Sequence, residues 1–191
     1  MATIQILKKE TLSDKKYLLK NISFEKPGED GVFHNVEKEV YFRPDTVAVL
    51  LVDDERKKIL LCKQFRLPAF LNGSESGYLV EVCAGIIDDA ENPEDTAHRE
   101  VGEELGYKIH NLERVAGAYS SSGGITEFVY YFIARYDEKS ETGKGGGLQE
   151  EGESIERIEM SFDQAREKLK QGEFRDAKTI VLLQHFFMNL Q

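Results

Sequence analysis

The chain has no surplus of positive charge: 25 Lys and Arg stand against 35 Asp and Glu, a net charge of −10. A basic face able to track nucleic-acid phosphates is therefore not expected. It lacks any apolar run of membrane-spanning length, and Met1 to Lys9 lacks the apolar core of a secretory signal. Both absences point away from a membrane and toward the cytoplasm. Cysteine is scarce too: only Cys62 and Cys83, without C-x-x-C spacing, read as buried free thiols and not as a disulfide. His34, His98, His110 and His185 are scattered, with no metal-ligand spacing, and receive no role. There is no internal repeat. An acidic balance does not exclude an anionic small substrate, because bound cations invert the local charge. A chain of 191 residues suits one domain of ordinary size with a small appendage.

What the chain does have is concentrated between Gly85 and Tyr107, G-I-I-D-D-A-E-N-P-E-D-T-A-H-R-E-V-G-E-E-L-G-Y. Asn92 is a good N-cap and Pro93 suits the first helical position, where a missing N–H costs little. Glu94 and Asp95 sit in the first turn, where the helix dipole favours them, and Gly106 supplies the stop. Ala97, Val101 and Leu105 make a narrow apolar stripe. Glu100, Glu103 and Glu104 lie three and four residues apart and share the adjoining face. Like charges at that spacing cost a bare helix a few tenths of a kcal/mol per pair. A divalent cation reverses the sign. Glu100 and Glu104, one turn apart, can ligate one such ion or bridge two. Mg²⁺ is the expected ion, since it takes a few carboxylates together with phosphate oxygen and water, with Mn²⁺ as a substitute.

Gly85, Glu91, Arg99-Glu100, Glu103-Glu104 and Gly106 fall at the fixed gaps of the signature of the Nudix hydrolases, which the segment resembles. About eight specified positions are matched, a far more specific signal than a lone glycine motif. The last position, usually aliphatic, is Tyr107. Members of this family cut diphosphates linked to another group. The resemblance implies that Glu103 joins Glu100 and Glu104, and that the backbone carbonyl of Ala84 is a further metal ligand. Metals about 4 Å apart would clamp a diphosphate and activate water. Arg99 is expected to orient the carboxylates by ion pairing, and Glu91 to support them.

The likeness extends over nearly the whole chain and is strongest to the nucleoside-diphosphate-sugar branch, in particular its GDP-mannose enzymes. It is carried by Asn72 to Gly77, Glu81 to Gly85, Ser120 to Glu127, Gly145-Gly146-Gly147 and Phe174 to Thr179. Cys83 stands where the ADP-ribose enzymes usually carry proline. Ser122 stands where both groups tend to have proline beside the substrate. The likeness implies an intertwined homodimer and a catalytic glutamate from an acidic loop. Here Gln149 to Glu156 supplies that loop, with Glu153 the first candidate for base or ligand and Glu151 the second. Tyr17, Glu37, Lys38 and Glu39 are implied to approach the nucleotide, and Glu127 and Lys178 match substrate-contacting positions. Arg66, at a strand end, suits a phosphate through its guanidinium fork.

Strands are expected at Ile4 to Ile6, Tyr17 to Glu25, Val36 to Phe42, Thr46 to Asp53, Lys58 to Phe65, Tyr78 to Cys83, Leu112 to Tyr119, Glu127 to Tyr136 and Ile155 to Met160. Gly143 to Gly147 reads as a mobile glycine loop. Ser161 with Gln164 has capping-box spacing for a helix stopping at Gly172, and Asp176 opens the last helix. Strands interleaved with helices predict an α/β fold, an α/β/α sandwich on a mixed sheet. Residues 1–44 form a small β-rich N-terminal dimerisation segment and 45–191 the hydrolase domain. The expected activity is Mg²⁺-dependent hydrolysis of a nucleoside diphosphate sugar, GDP-mannose first and ADP-ribose second. A non-catalytic nucleotide-sugar sensor is the alternative of another class, and it predicts loss of the glutamates kept here.

Overall fold

The computed structural model describes residues 3–148 and 154–190. They form two compact units, one of residues up to Asp45 with Ala118–Val129, the other of Thr46–Gly117 with the chain from Tyr130 onward.

In the first unit β1 (Gln5–Ser13), β2 (Leu18–Pro27) and β3 (Phe33–Phe42) make an antiparallel sheet in that order. Strand β1 is longer than its alternation in sequence suggests, because it pairs with β2 from Gln5–Glu25 to Ser13–Leu19. The β2–β3 turn closes where Gly31 takes a positive φ of 76° and Gly28 N–H donates to Val32 O at 2.8 Å. Residues 118–129 are tied to β3 by Tyr41 N–H to Gly124 O at 2.8 Å and Thr126 N–H to Tyr41 O at 3.1 Å.

The second unit is built on a sheet of order β10-β5-β4-β9-β8, with β6 on β5 and β7 on β4. These are β4 (Thr46–Asp53), β5 (Lys58–Phe65), β6 (Tyr78–Glu81), β7 (Cys83–Ile86), β8 (His110–Tyr119), β9 (Phe128–Arg135) and β10 (Glu156–Ser161). Every residue of β4 is buried, so both faces of the sheet must be covered. On one face Val47, Val49 and Leu51 share a core with Ala97, Val101 and Leu105 of the helix over 93–105 that carries the signature glutamates, the box helix. Alternation sends Ala48, Leu50 and Val52 to the other face, where α4 (Ala177–Asn189) contacts β4 and α3 (Phe162–Lys170) contacts β5 and β10. Helices on both faces give the α/β/α layering expected of the sequence.

Three details differ from the expected elements. A five-residue helix, α1 (Leu67–Leu71), follows β5, with Pro68 in its first turn. The single strand expected at Tyr78 to Cys83 is broken at Val82. Its N–H donates to Thr179 Oγ1 at 2.9 Å, so the chain leaves β5 and resumes beside β4. The box helix is α-helical only over α2 (Pro93–Glu100) and continues as a π-helical turn, Val101–Leu105. Such turns are rare and concentrate at functional sites.

Candidate active site

The box helix starts as its sequence dictates. Asn92 Oδ1 accepts from Asp95 N–H at 2.9 Å, Pro93 opens the first turn, and Gly106 ends the π turn with φ 69°. Ala97, Val101 and Leu105 are fully buried and pin the helix to β4, each larger side chain worth about 1.5–3 kcal/mol of apolar burial. That anchoring leaves the glutamates along the flank facing β7.

Arg99 gathers the acids. Its Nη1 donates to Glu100 Oε1 at 2.8 Å and to Glu103 Oε2 at 3.0 Å, and its Nε donates to Glu91 Oε1 at 3.0 Å. Nη2 reaches Glu91 Oε2 at 3.0 Å and Ile86 O at 3.1 Å, joining the helix to the end of β7. Glu91 also accepts from Thr96 Oγ1 at 2.8 Å, and the Arg99 hydrogen bond, then Thr96, hold its carboxyl below the usual value. One guanidinium thus offsets Glu100 and Glu103 on the helix and Glu91 just before it.

Gly85 on β7 gives Glu100 its place. A Cβ there would sit 1.8 Å from Glu100 Cδ, so the carboxylate lies in the space a side chain would fill. Glu104 is 4% exposed. It accepts from Ala84 N–H at 3.3 Å and from the Cys62 thiol at 3.3 Å. Burial, followed by the nearby Glu104 charge, pushes the Cys62 and Cys83 thiols well up, and both are free. The carboxylates of Glu100 and Glu104 lie against the backbone of Ala84–Gly85, oxygen donors that suit a hard divalent cation better than a soft one. Among the described residues no three His, Cys, Asp or Glu side chains form a ready-made ligand group. Glu100 and Glu103 are turned to Arg99, and Glu104 to Cys62 and Ala84.

A second charged cluster lies at the strand ends beside α4. Arg66 Nε and Nη2 donate to the two oxygens of Glu81 at 2.7 and 3.1 Å. Lys178 Nζ stands 3.7 Å from Glu81 and 2.5 Å from Asp176. Glu81 is 2% exposed, and sequence reasoning assigned it no role. The available signal was its place opposite Cys62 on β5, visible only once strands are paired.

The remaining candidates belong to the first unit or to the acidic segment. In the first unit Tyr17 carries the Arg43 guanidinium 4.8 Å from its ring and meets Tyr41 edge-on at 5.9 Å. Glu127 is 3.7 Å from Arg43. Glu37 accepts from Ser23 Oγ at 3.0 Å, while Lys38 and Glu39 are exposed on β3. Glu151 and Glu153 lie outside the described residues.

The match to known proteins decides the family. The NUDIX domain model matches residues 42–183, most of the chain. This protein belongs to the Nudix family. It is 42% identical over 182 residues to a GDP-mannose pyrophosphatase of Cronobacter sakazakii, covering 95% of this chain and 94% of that one. GDP-mannose pyrophosphatases of Shigella flexneri and Escherichia coli O157:H7 are 38% identical over 186 residues, with 97% and 96% covered. Among solved structures, an ADP compounds hydrolase aligns with TM-score 0.74 at 18% identity, covering 97% of this chain and 93% of that chain. At that identity the likeness establishes the fold. Among the described residues no helix is long and apolar enough to cross a membrane.

Proposed function

We propose that this Nudix protein hydrolyses the diphosphate bond of a nucleoside diphosphate sugar, GDP-mannose being favoured, to GMP and mannose 1-phosphate. The observation that carries the reading is that Glu100 lies against Gly85 and Glu104 on Ala84 N–H, with Glu103 joined to Glu100 through Arg99, in a chain 42% identical, nearly end to end, to a GDP-mannose pyrophosphatase. Glu100, Glu103, Glu104 and the Ala84 carbonyl would hold Mg²⁺, or Mn²⁺ in its place. When bound, the cation neutralises diphosphate charge and favours attack by water. Water adds across the P–O–P bridge: its oxygen joins one phosphorus, and the bridging oxygen leaves with the other phosphate.

The chain's own groups would do the rest. A carboxylate of the acidic segment, Glu153 first and Glu151 second, would take the water's proton. Arg66 and Lys178 would meet the phosphates, their present partner Glu81 keeping both cations at one place. Tyr17, Glu37, Lys38, Glu39 and Glu127 would contact nucleotide or sugar, the first four reaching it from a second copy of the chain. A homodimer is supported by Ile6, Leu7, Leu12 and Phe33, large apolar side chains exposed on a three-stranded sheet too small to bury them alone. Free thiols at Cys62 and Cys83 suit the cytoplasm.

The test is a panel of GDP-, ADP- and UDP-sugars and ADP-ribose assayed with Mg²⁺, phosphatase being added to release phosphate from the products. GDP-mannose should give the highest kcat/KM. Preference for ADP-ribose would move the substrate while keeping the chemistry, and no turnover of any member would overturn the reading.

A further inference from the structure

The end of the box helix is held by a segment far along the chain. A helix leaves its last four carbonyls without partners of its own, and here each has one. Gly102 O accepts from Gly106 N–H at 3.1 Å, Glu103 O from Gly147 N–H at 3.2 Å and Glu104 O from Gly146 N–H at 2.9 Å. Leu105 O accepts from Arg157 Nη1 at 3.1 Å. Beyond the helix Gly106 O takes the N–H groups of Thr142 and Gly143, at 2.8 and 3.2 Å. Gly145 and Gly106 let the two segments approach closely. A Cβ on Gly145 would lie 2.3 Å from Glu104 O, and one on Gly106 would lie 2.2 Å from Gly143 O.

Arg157, on β10, locks the arrangement. Its Nη1 also donates to Glu141 Oε1 at 2.8 Å, and its guanidinium lies 5.6 Å from the ring of Tyr107. Tyr107, the residue where the chain departs from the usual aliphatic of the box, bridges Glu141 and packs edge-on against Tyr136 at 5.1 Å. The departure is thus part of the contact. Ile155 N–H returns to Gly146 O at 3.1 Å, so the chain on both sides of residues 149–153 is fastened here.

We propose that the Thr142–Gly147 arch and Arg157 are positioning residues that set the metal affinity of the box by fixing Glu103 and Glu104 through their own main-chain carbonyls. The inference rests on the metal reading given above. The arch meets Glu103 and Glu104 at their main-chain carbonyls. It sets where the π turn ends, hence where two of three carboxylates start. Groups that orient ligands in this indirect way typically change metal affinity by 10–100-fold.

The experiment is Mn²⁺ binding to the purified protein, read from the loss of the free-ion electron paramagnetic resonance signal. Melting curves and Mg²⁺-activation curves accompany it. Gly145→Ala and Arg157→Gln should each weaken Mn²⁺ binding by roughly tenfold or more. Half-activating Mg²⁺ should rise in parallel, with the substrate KM at saturating Mg²⁺ nearly unchanged. Arg157→Lys, which keeps a donor and the charge, should fall between Arg157→Gln and the parent. Lys139→Ala, exposed and outside the arch, should bind as the parent does. If Gly145→Ala does not fold, Arg157→Gln decides. Parental Mn²⁺ affinity in a folded Arg157→Gln protein overturns the proposal. Glu104→Gln separates the two readings. If it leaves Mn²⁺ binding intact, the metal site itself is wrong. If it abolishes binding while Arg157→Gln does not, only the positioning role fails.

Discussion

Gly85 and Glu100 occupy what would ordinarily be one volume: a Cβ on the glycine would overlap the glutamate's carboxyl carbon at 1.8 Å. The atom met is the far end of a flexible side chain, so the clash can be relieved by turning Glu100 away. Gly85→Ala should therefore keep the fold and lose the site. Turnover should fall by roughly a hundredfold, the scale of a displacement of about 1 Å in a catalytic group. The melting temperature should move little. A Gly85→Ala enzyme with parental kcat would show that Glu100 is not needed where it stands.

Cys62 and Cys83 should be inert in the native protein. Burial, followed by Glu104, pushes both thiols well above their ordinary value, and the thiolate is the reactive form. With a disulfide reagent at pH 8, neither should react until denaturant is added, when both should titrate. Rapid native reaction of either would contradict their burial.

Asp176 caps α4, accepting from Thr179 N–H at 2.9 Å and Thr179 Oγ1 at 2.7 Å. Thr179 in turn receives Val82 N–H, so the cap also fixes the break between β6 and β7. Burial alone would raise the Asp176 carboxyl. Lys178, then Thr179, hold it below the ordinary value. A depressed carboxyl adds stability above its unfolded pKa of about 3.9 and loses it as pH falls through the lower folded value. Asp176→Ala should cost about 1 kcal/mol or more at neutral pH, and its deficit should shrink in acid unfolding below about pH 4. A deficit that grows on acidification would reverse the assigned sign.

The two loop glutamates can be ranked directly. Glu153→Gln should depress turnover much more than Glu151→Gln, with little change in substrate binding, as expected of a proton acceptor. The reverse order would move the role to Glu151.

Local chemistry was readable where neighbours in sequence supply it. Asn92, Pro93 and Gly106 bound the box helix, Ser161 with Gln164 caps α3, and the all-apolar run of β4 marks a strand covered on both faces. What was not readable depends on distant partners. The break at Val82 exists because Thr179 takes its N–H from 97 residues away. The loop at Gly143 to Gly147 looks mobile by composition. Gly145 is required there because Glu104 O lies where its side chain would be. Nothing local announces the π turn over Val101–Leu105, or that a buried Glu81 will hold Arg66.

The central claim is that the box carboxylates bind the cation needed for diphosphate cleavage. Its most direct test is the turnover of GDP-mannose with saturating Mg²⁺ by Glu104→Gln, a change that keeps shape and removes charge. The account predicts a fall of roughly a thousandfold, as several kcal/mol of charge stabilisation is lost, with the melting curve still cooperative. Near-parental turnover in a folded Glu104→Gln protein would contradict it.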